Sequence, residues 1–400
     1  MVNLIEGPGH PVVWAESPRV PDAPTLLIYG HYDVQPPDPL DEWTTEPFKA
    51  TVRDAKLYAR GSSDDKGQVF CLLKSYEAVL DPKGQPPLNV HFIFEGEEES
   101  GGKVIFELLR NEPERTRADA ALVCDMSYYA PGWPGVYTAL RGLCYAEISV
   151  RTLERDLHSG TYGGVAPNAI ETLVRILSEL KSSNGKIRIP GLYEAVKPPT
   201  KAELDTWNNL PFDREDFLRS EVTGKKLTGL EDRSVFERVW ALPTFEIHGI
   251  KGGFTGEGAK TVIPGKALGK VSFRLVGQQD PKKIREAFRA FVKARLPVDC
   301  TVEFANFADS PAIQLPFDNP SLDKARAALQ AEWGKKTIMM GAGGSIPIVG
   351  DFKSVLGMDS LMVGFALDDD RVHSPNEKFD LTSFHKGIRS WARILDALAA

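Results

Sequence analysis

Residues 95–101 read Glu-Gly-Glu-Glu-Glu-Ser-Gly, directly after the apolar run Asn89-Val-His-Phe-Ile-Phe94. A short acidic run is ordinarily a solvated loop. Carboxylates crowded at the carboxyl end of a buried strand, however, repel one another unless cations share the space. Other apolar runs end in groups of the same kind. Gly30-His31-Tyr32-Asp33 follows Thr25–Tyr29, Gly61-Ser-Ser-Asp64-Asp65 follows Leu57-Tyr-Ala-Arg60, Asp125 follows Ala121–Cys124, and His373 follows Leu361–Phe365. Taken singly, each has a plain reading: a lone histidine is usually structural, and Asp64 or Asp65 would cap a helix starting near Gly67. Taken together, they put imidazoles and carboxylates at one edge of one sheet.

Two imidazoles and several carboxylates without a thiolate suit Zn²⁺ or Mn²⁺, with enough carboxylates to bridge two ions. Water bound between two cations loses its proton near neutral pH, and the ions polarise the carbonyl it attacks. A separate carboxylate is then needed to carry the proton to the leaving amine. Three consecutive glutamates, Glu97 to Glu99, point in different directions and can divide these tasks. Asp33, two residues past His31, is placed to hold the second ring nitrogen of that imidazole.

The elements that must position these groups alternate. A strand at Thr25–Tyr29, a helix from Gly67 to Leu80, a strand at Asn89–Phe94, a helix over Val104–Leu109 and a strand at Ala120–Cys124 predict a mainly parallel sheet covered on both faces. After Arg141 the style changes. Leu143–Val150 alternates like a half-exposed antiparallel strand, and strands near 244–250, 268–276 and 300–304 with helices over 167–180 and 282–294 predict an α+β unit. Helices around 319–333 and 384–395, with the apolar run Leu361–Phe365, return to the first pattern. The expected organisation is an α/β catalytic domain over 1–140 and 311–400, interrupted by a smaller domain over 141–310. Residues 182–238, rich in Pro, Gly and charge, carry no clear assignment.

Composition narrows the function. A net charge of −7 over 400 residues, without a long basic run, argues against nucleic acid or an anionic membrane as partner. No apolar run approaches the roughly 20 residues of a membrane span, and the opening residues lack a signal pattern, so the expected address is the cytoplasm. Cys71, Cys124, Cys144 and Cys300 sit apart in apolar surroundings and read as reduced core residues. Two glycine-rich stretches are near misses for nucleotide binding: Ala259 separates Gly258 from Lys260, and Ile346 stands where a dinucleotide fingerprint needs glycine.

Seven motifs together resemble one family. Gly30-His-Tyr-Asp-Val-Gln-Pro36, Arg60-Gly-Ser-Ser-Asp-Asp-Lys-Gly67, Glu98-Glu-Ser-Gly101, Asp156-Leu-His-Ser-Gly160, Lys260-Thr-Val-Ile-Pro264, Gly343-Gly-Ser-Ile-Pro347 and His373-Ser-Pro-Asn-Glu-Lys378 look like the dinuclear metallopeptidases related to carnosinase and cytosolic nonspecific dipeptidase. The resemblance implies a two-metal catalytic domain with an inserted lid and dimerisation domain, acting on dipeptides or short peptides with a free carboxyl terminus. It implies that His31, Asp64 and Asp125 hold one metal, that Glu99, His373 and the shared Asp64 hold the other, and that the peptide after Asp64 is cis. Glu98 would be the general base and later the acid, with Asp33 behind His31. His158 would reach a homodimer partner's site to steady the oxyanion, while Thr261, Arg274 and Ser345 would grip the substrate, Arg274 through its carboxylate.

The sequence departs from the family in two places. It begins close to the strand before His31, where relatives carry several tens of residues that cover the sheet, so less cover is expected. Gly341 and Ala342 stand where the dipeptidases often have Arg-Glu, so a substrate amine is expected to be read differently. On the same fold the alternative reaction is deacylation of N-acyl amino acids. A metal-holding scaffold without activity is disfavoured, because each implied ligand and the base are present. Glu95 and Glu97 receive no catalytic role.

Overall fold

The computed structural model describes residues 2–400, apart from the Ala308 side chain. The chain divides into two compact units: one of Met1–Thr138, Leu315–Met340 and Ile348–Ala400, the other of Ala139–Gln314 with Gly341–Pro347.

In the first unit a sheet runs in the order Val2–Ile5, Val12–Glu16, Asn89–Glu95, Thr25–His31, Ala120–Val123, Asp359–Met362 and Gly135–Leu140. The four strands from Asn89–Glu95 to Asp359–Met362 are mutually parallel. Burial on both faces explains their near-continuous apolar sequences: Leu26, Leu27, Ile28 and Tyr29 are all buried. Leu26 and Ile28 pack in one cluster with Cys71 and Leu72 of helix Lys66–Val79 and with Trp391, Ile394 and Leu395 of helix Leu381–Ala399. On the opposite face Tyr29 meets Phe352 of helix Pro347–Leu356 edge-on, ring centroids 5.7 Å apart. Thr25–His31 lies between the next two strands of this sheet, Asn89–Glu95 and Ala120–Val123, so the winding of the sheet reverses direction across it. In parallel sheets the crevice beyond such a switch point is where ligands sit.

Several elements, Gly135–Leu140 among them, have no counterpart in the sequence pattern. The antiparallel hairpin Val2–Ile5 and Val12–Glu16 extends the sheet beside Asn89–Glu95. Helix Pro347–Leu356 was likewise unread. One expectation is corrected: Leu57-Tyr-Ala-Arg60 is no core strand. Lys56–Tyr58 belongs to a separate three-stranded antiparallel sheet with Thr51–Arg53 and Lys378–Asp380. Its residues are only half-buried, which a run this short cannot reveal.

The second unit is a four-stranded antiparallel sheet, ordered Thr244–Gly252, Lys266–Leu275, Gly142–Arg151 and Thr301–Ser310. Helices Ala169–Glu179 and Pro281–Lys293 cover one face, with Leu173, Ile176, Phe288 and Phe291 against Ile148, Val271 and Phe273. The side chains of Asn168 and Asp280 cap the two helices by accepting their first N–H groups. The previously unassigned 182–238 segment holds short helices Lys201–Asn208, opened by a Thr200/Glu203 capping box, and Arg214–Ser220. Among the described residues no helix is long and apolar enough to cross a membrane.

Candidate metal centre

The parallel strands end where the acidic groups collect. His31 is the last residue of its strand and Glu95 the last of the neighbouring one, paired in register. Asp64 lies in the turn before helix Lys66–Val79, and its two carboxylate oxygens face two different histidines: Oδ1 is 3.0 Å from His31 Nε2 and Oδ2 is 2.8 Å from His373 Nε2. Glu99 Oε1 lies 3.1 Å from the same His373 nitrogen, and Gln35 Nε2 donates to Glu99 Oε2 at 2.7 Å. Asp33 Oδ1 is 3.2 Å from His31 Nδ1, so it fixes the far side of that ring. The same carboxylate accepts the N–H groups of Glu98 and Glu99, at 3.3 and 3.0 Å, and so also holds the turn that presents both glutamates.

Two clusters of ligand-type atoms result: His31 with Asp65 and Asp125, and Asp64 with Glu99 and His373. The peptide joining Asp64 to Asp65 is cis. Asp65 stands in the first cluster although the resemblance names only Asp64 of this pair as a ligand, and its side chain makes no capping hydrogen bond. Oδ2 instead accepts the His31 N–H at 3.2 Å, and Oδ1 is buried without a hydrogen-bond partner.

The electrostatics call for added positive charge. Burial pushes Asp65 and Asp125 well above the usual carboxylate range; the charge of Asp125 raises Asp65 further, while His31 works the other way on Asp125. Burial should lower His31, but hydrogen bonds to the carboxylates of Asp33 and Asp64 overcome it and raise the imidazole above its ordinary value. Hydrogen bonds to Asp64 and then Glu99 lift His373 to about 10. Asp64, despite burial, is held low by the two histidines. Carboxylates thus favour positive charge on both imidazoles. Oxygen and imidazole donors without thiolate, a buried orphan oxygen and a carboxylate open on both sides fit a pair of divalent ions.

Residues 27–397 match the model of peptidase family M20/M25/M40. The chain belongs to this family. As an M20/M25/M40 peptidase it is 34% identical over 401 residues to the Cys-Gly metallodipeptidase dug1 of Schizosaccharomyces pombe, covering 98% of this chain and 84% of that one. It is 31% identical over 392 residues to the Beta-Ala-His dipeptidase of Rattus norvegicus, covering 96% and 79%. Among solved structures it is similar to the M20 family metallo-carboxypeptidase Sso-CP2 of Sulfolobus solfataricus, with a TM-score of 0.88 at 29% identity over 100% of this chain and 90% of that one.

The other candidate residues of this M20/M25/M40 peptidase lie in the second unit. Arg274, on strand Lys266–Leu275, donates from Nη1 to Ser345 Oγ at 3.0 Å. His158 is exposed and pairs in register with Val262, and its Nδ1 accepts the Gly160 N–H at 3.0 Å. Thr261 is exposed and precedes the two-residue strand Val262–Ile263; its carbonyl accepts the Ser159 N–H at 3.1 Å. Sequence reasoning missed Arg141, which holds the Gly343 carbonyl at 3.0 Å and Thr244 Oγ1 at 3.2 Å, and so braces the loop carrying Ser345. Gly341 abuts Trp240, whose Cβ would lie 2.7 Å from any Cβ added there. A side chain at that position therefore needs the backbone carrying Trp240 to shift.

The two unassigned glutamates separate on structure. Glu97 accepts the Lys103 N–H at 3.3 Å beside the start of helix Val104–Asn111, and Gly9 packs against its carboxylate, a structural post. Glu95 is buried, accepts the Tyr29 hydroxyl at 2.7 Å, and is pushed by burial to about 7. Because its folded pKa exceeds the ordinary 4.5, the folded state holds the extra proton, and stability falls as pH rises from about 4.5 to about 7. Glu95→Gln keeps an acceptor for Tyr29 and removes the charge. The metal-free variant should gain about 1–3 kcal/mol over the parent at pH 8 and nothing at pH 4, read by urea unfolding. Equal stability at pH 8 would show that Glu95 is not buried at a cost.

Proposed function

We propose that this peptidase hydrolyses the peptide bond of dipeptides and short peptides that end in a free carboxylate. The observation that carries the reading is the Asp64 carboxylate, open to His31 on one side and His373 on the other, at the strand ends where Glu98 stands. His31, Asp64 and Asp125 would hold one ion, and Glu99, His373 and the same Asp64 the other. Zn²⁺ or Mn²⁺ suits the donors. When bound, the ion pair supplies an acidified water and a polarised scissile carbonyl. Glu98 would take a proton from the attacking water and deliver it to the departing amine. In the metal-free chain burial raises Glu98, the effect His31 opposes and Glu99 reinforces, which suits a group that must hold a proton between two transfers. Asp33 keeps the His31 ring in one orientation through the bond described above.

Arg274 and Ser345, already hydrogen-bonded, would take the substrate's terminal carboxylate, Arg274 as a charged donor. Thr261 and His158 would contact substrate, His158 acting across a homodimer at the oxyanion. Unpaired thiols at Cys71, Cys124, Cys144 and Cys300 support a reducing compartment, the cytoplasm.

A substrate panel tests this. Metal-loaded enzyme should turn over unmodified dipeptides, lose most of that rate on C-terminally amidated ones, and spare N-acetyl and N-succinyl amino acids. Turnover of the acylated compounds alone would replace the peptidase reading by a deacylase.

A further inference from the structure

Glu377 is fully buried, although neither ligand cluster nor the proton transfer uses it. Its carboxylate accepts four hydrogen bonds: from Arg60 Nη1 at 2.7 Å, from the Gly61 and Ser63 N–H groups at 2.9 Å each, and from the Asp64 N–H at 3.0 Å. Every donor belongs to the turn that ends in Asp64, whereas Glu377 belongs to the loop that carries His373. Arg60 extends the tie: its Nη2 lies 3.3 Å from both the Ser374 and Pro36 carbonyls, reaching the His373 loop and the loop that follows His31. A second fastening lies beside the first, where Ser63 Oγ donates to buried Asp370 at 3.1 Å. The His373 loop also holds Arg371, His373 and Asn376 at φ values of 56°, 63° and 64°. Non-glycine residues keep such backbone only where their surroundings impose it.

We propose that Glu377 and Arg60 are a positioning pair for the metal centre, a buried latch that sets Asp64 against His373 so that one carboxylate serves two ions. The proposal rests on the two-ion reading above. A charged, four-fold hydrogen-bonded acceptor holds backbone N–H groups in one direction. Taking its charge away leaves a guanidinium and an N–H row underpaired in a buried place. Partners that orient ligands in this way typically change metal affinity about 10–100-fold when altered.

The test is a Co²⁺ titration of metal-free full-length protein, followed by visible absorption, beside thermal melting of the metal-free form. The parent should take up two ions. Glu377→Gln should still melt cooperatively, bind at least one ion about 10–100-fold more weakly, and show displaced Co²⁺ bands. Unchanged affinities and bands, with or without a lower melting temperature, would reduce Glu377 to a structural residue and overturn the latch. A parent that takes up fewer than two ions would overturn the two-ion reading, and the latch with it. Arg60→Lys, which keeps the charge but loses the fork to Ser374 and Pro36, decides between the same outcomes if Glu377→Gln does not fold.

Discussion

Replacing Glu98 by glutamine should lower kcat on a dipeptide by about 10²–10⁴-fold while both metal ions stay bound. The substitution keeps size and shape and removes only the ability to accept a proton. Glu98 is absent from both clusters of ligand-type atoms, and its N–H, not its carboxylate, is what Asp33 holds. Loading and substrate affinity should therefore change little, which separates proton transfer from ion binding. The measurement is steady-state turnover beside bound-metal analysis of the same sample. Undiminished kcat would assign the proton to another group, and lost metal would make Glu98 a ligand.

Asp64→Asn should do the reverse and remove the metal first. Asparagine offers one neutral oxygen where the carboxylate presents one charged oxygen to each histidine. At least one ion should bind more than about 100-fold more weakly, beyond the usual loss for an outer partner. Hydrolysis should fall about 10³-fold or more, since each pair of tenfold steps costs only about 3 kcal/mol of the transition-state stabilisation the ions supply. Equilibrium dialysis with Zn²⁺ or Mn²⁺ reads the first effect and kcat/KM the second. Two ions retained at parental affinity would mean that Asp65, which sits with His31 and Asp125, carries the bridge in its place.

What the sequence made legible followed from periodicity. Leu26 to Tyr29 are apolar without interruption because both faces of their strand are buried, and Val90 to Phe94 are broken only by half-buried His91; His31 and Glu95 declare themselves by ending those runs. The α/β class and the neighbourhood of the acidic groups could be read this way. What could not be read is polar and buried at once. Glu377, Asp370 and Asp65 lie in turns, where no apolar pattern distinguishes a solvated carboxylate from one that collects backbone N–H groups. Their burial is created by contacts with distant segments, such as Arg60 with Glu377. The hairpin at Val2–Glu16 escaped for a related reason: Val2 and Leu4 are exposed, so the first strand buries too little to set an alternation.

The parallel pairing of Asp359–Met362 with Ala120–Val123 also has a bearing on how the chain is made. During synthesis, His31, Asp64, Glu99 and Asp125 leave the ribosome on a sheet whose inner strand does not yet exist. The continuous stretch from Ala139 to Gln314, with its own core, emerges in full before the missing strand arrives. The nascent catalytic half must therefore wait with an open edge, while the later-made unit can already fold, and the centre gains His373 only after both segments have been made.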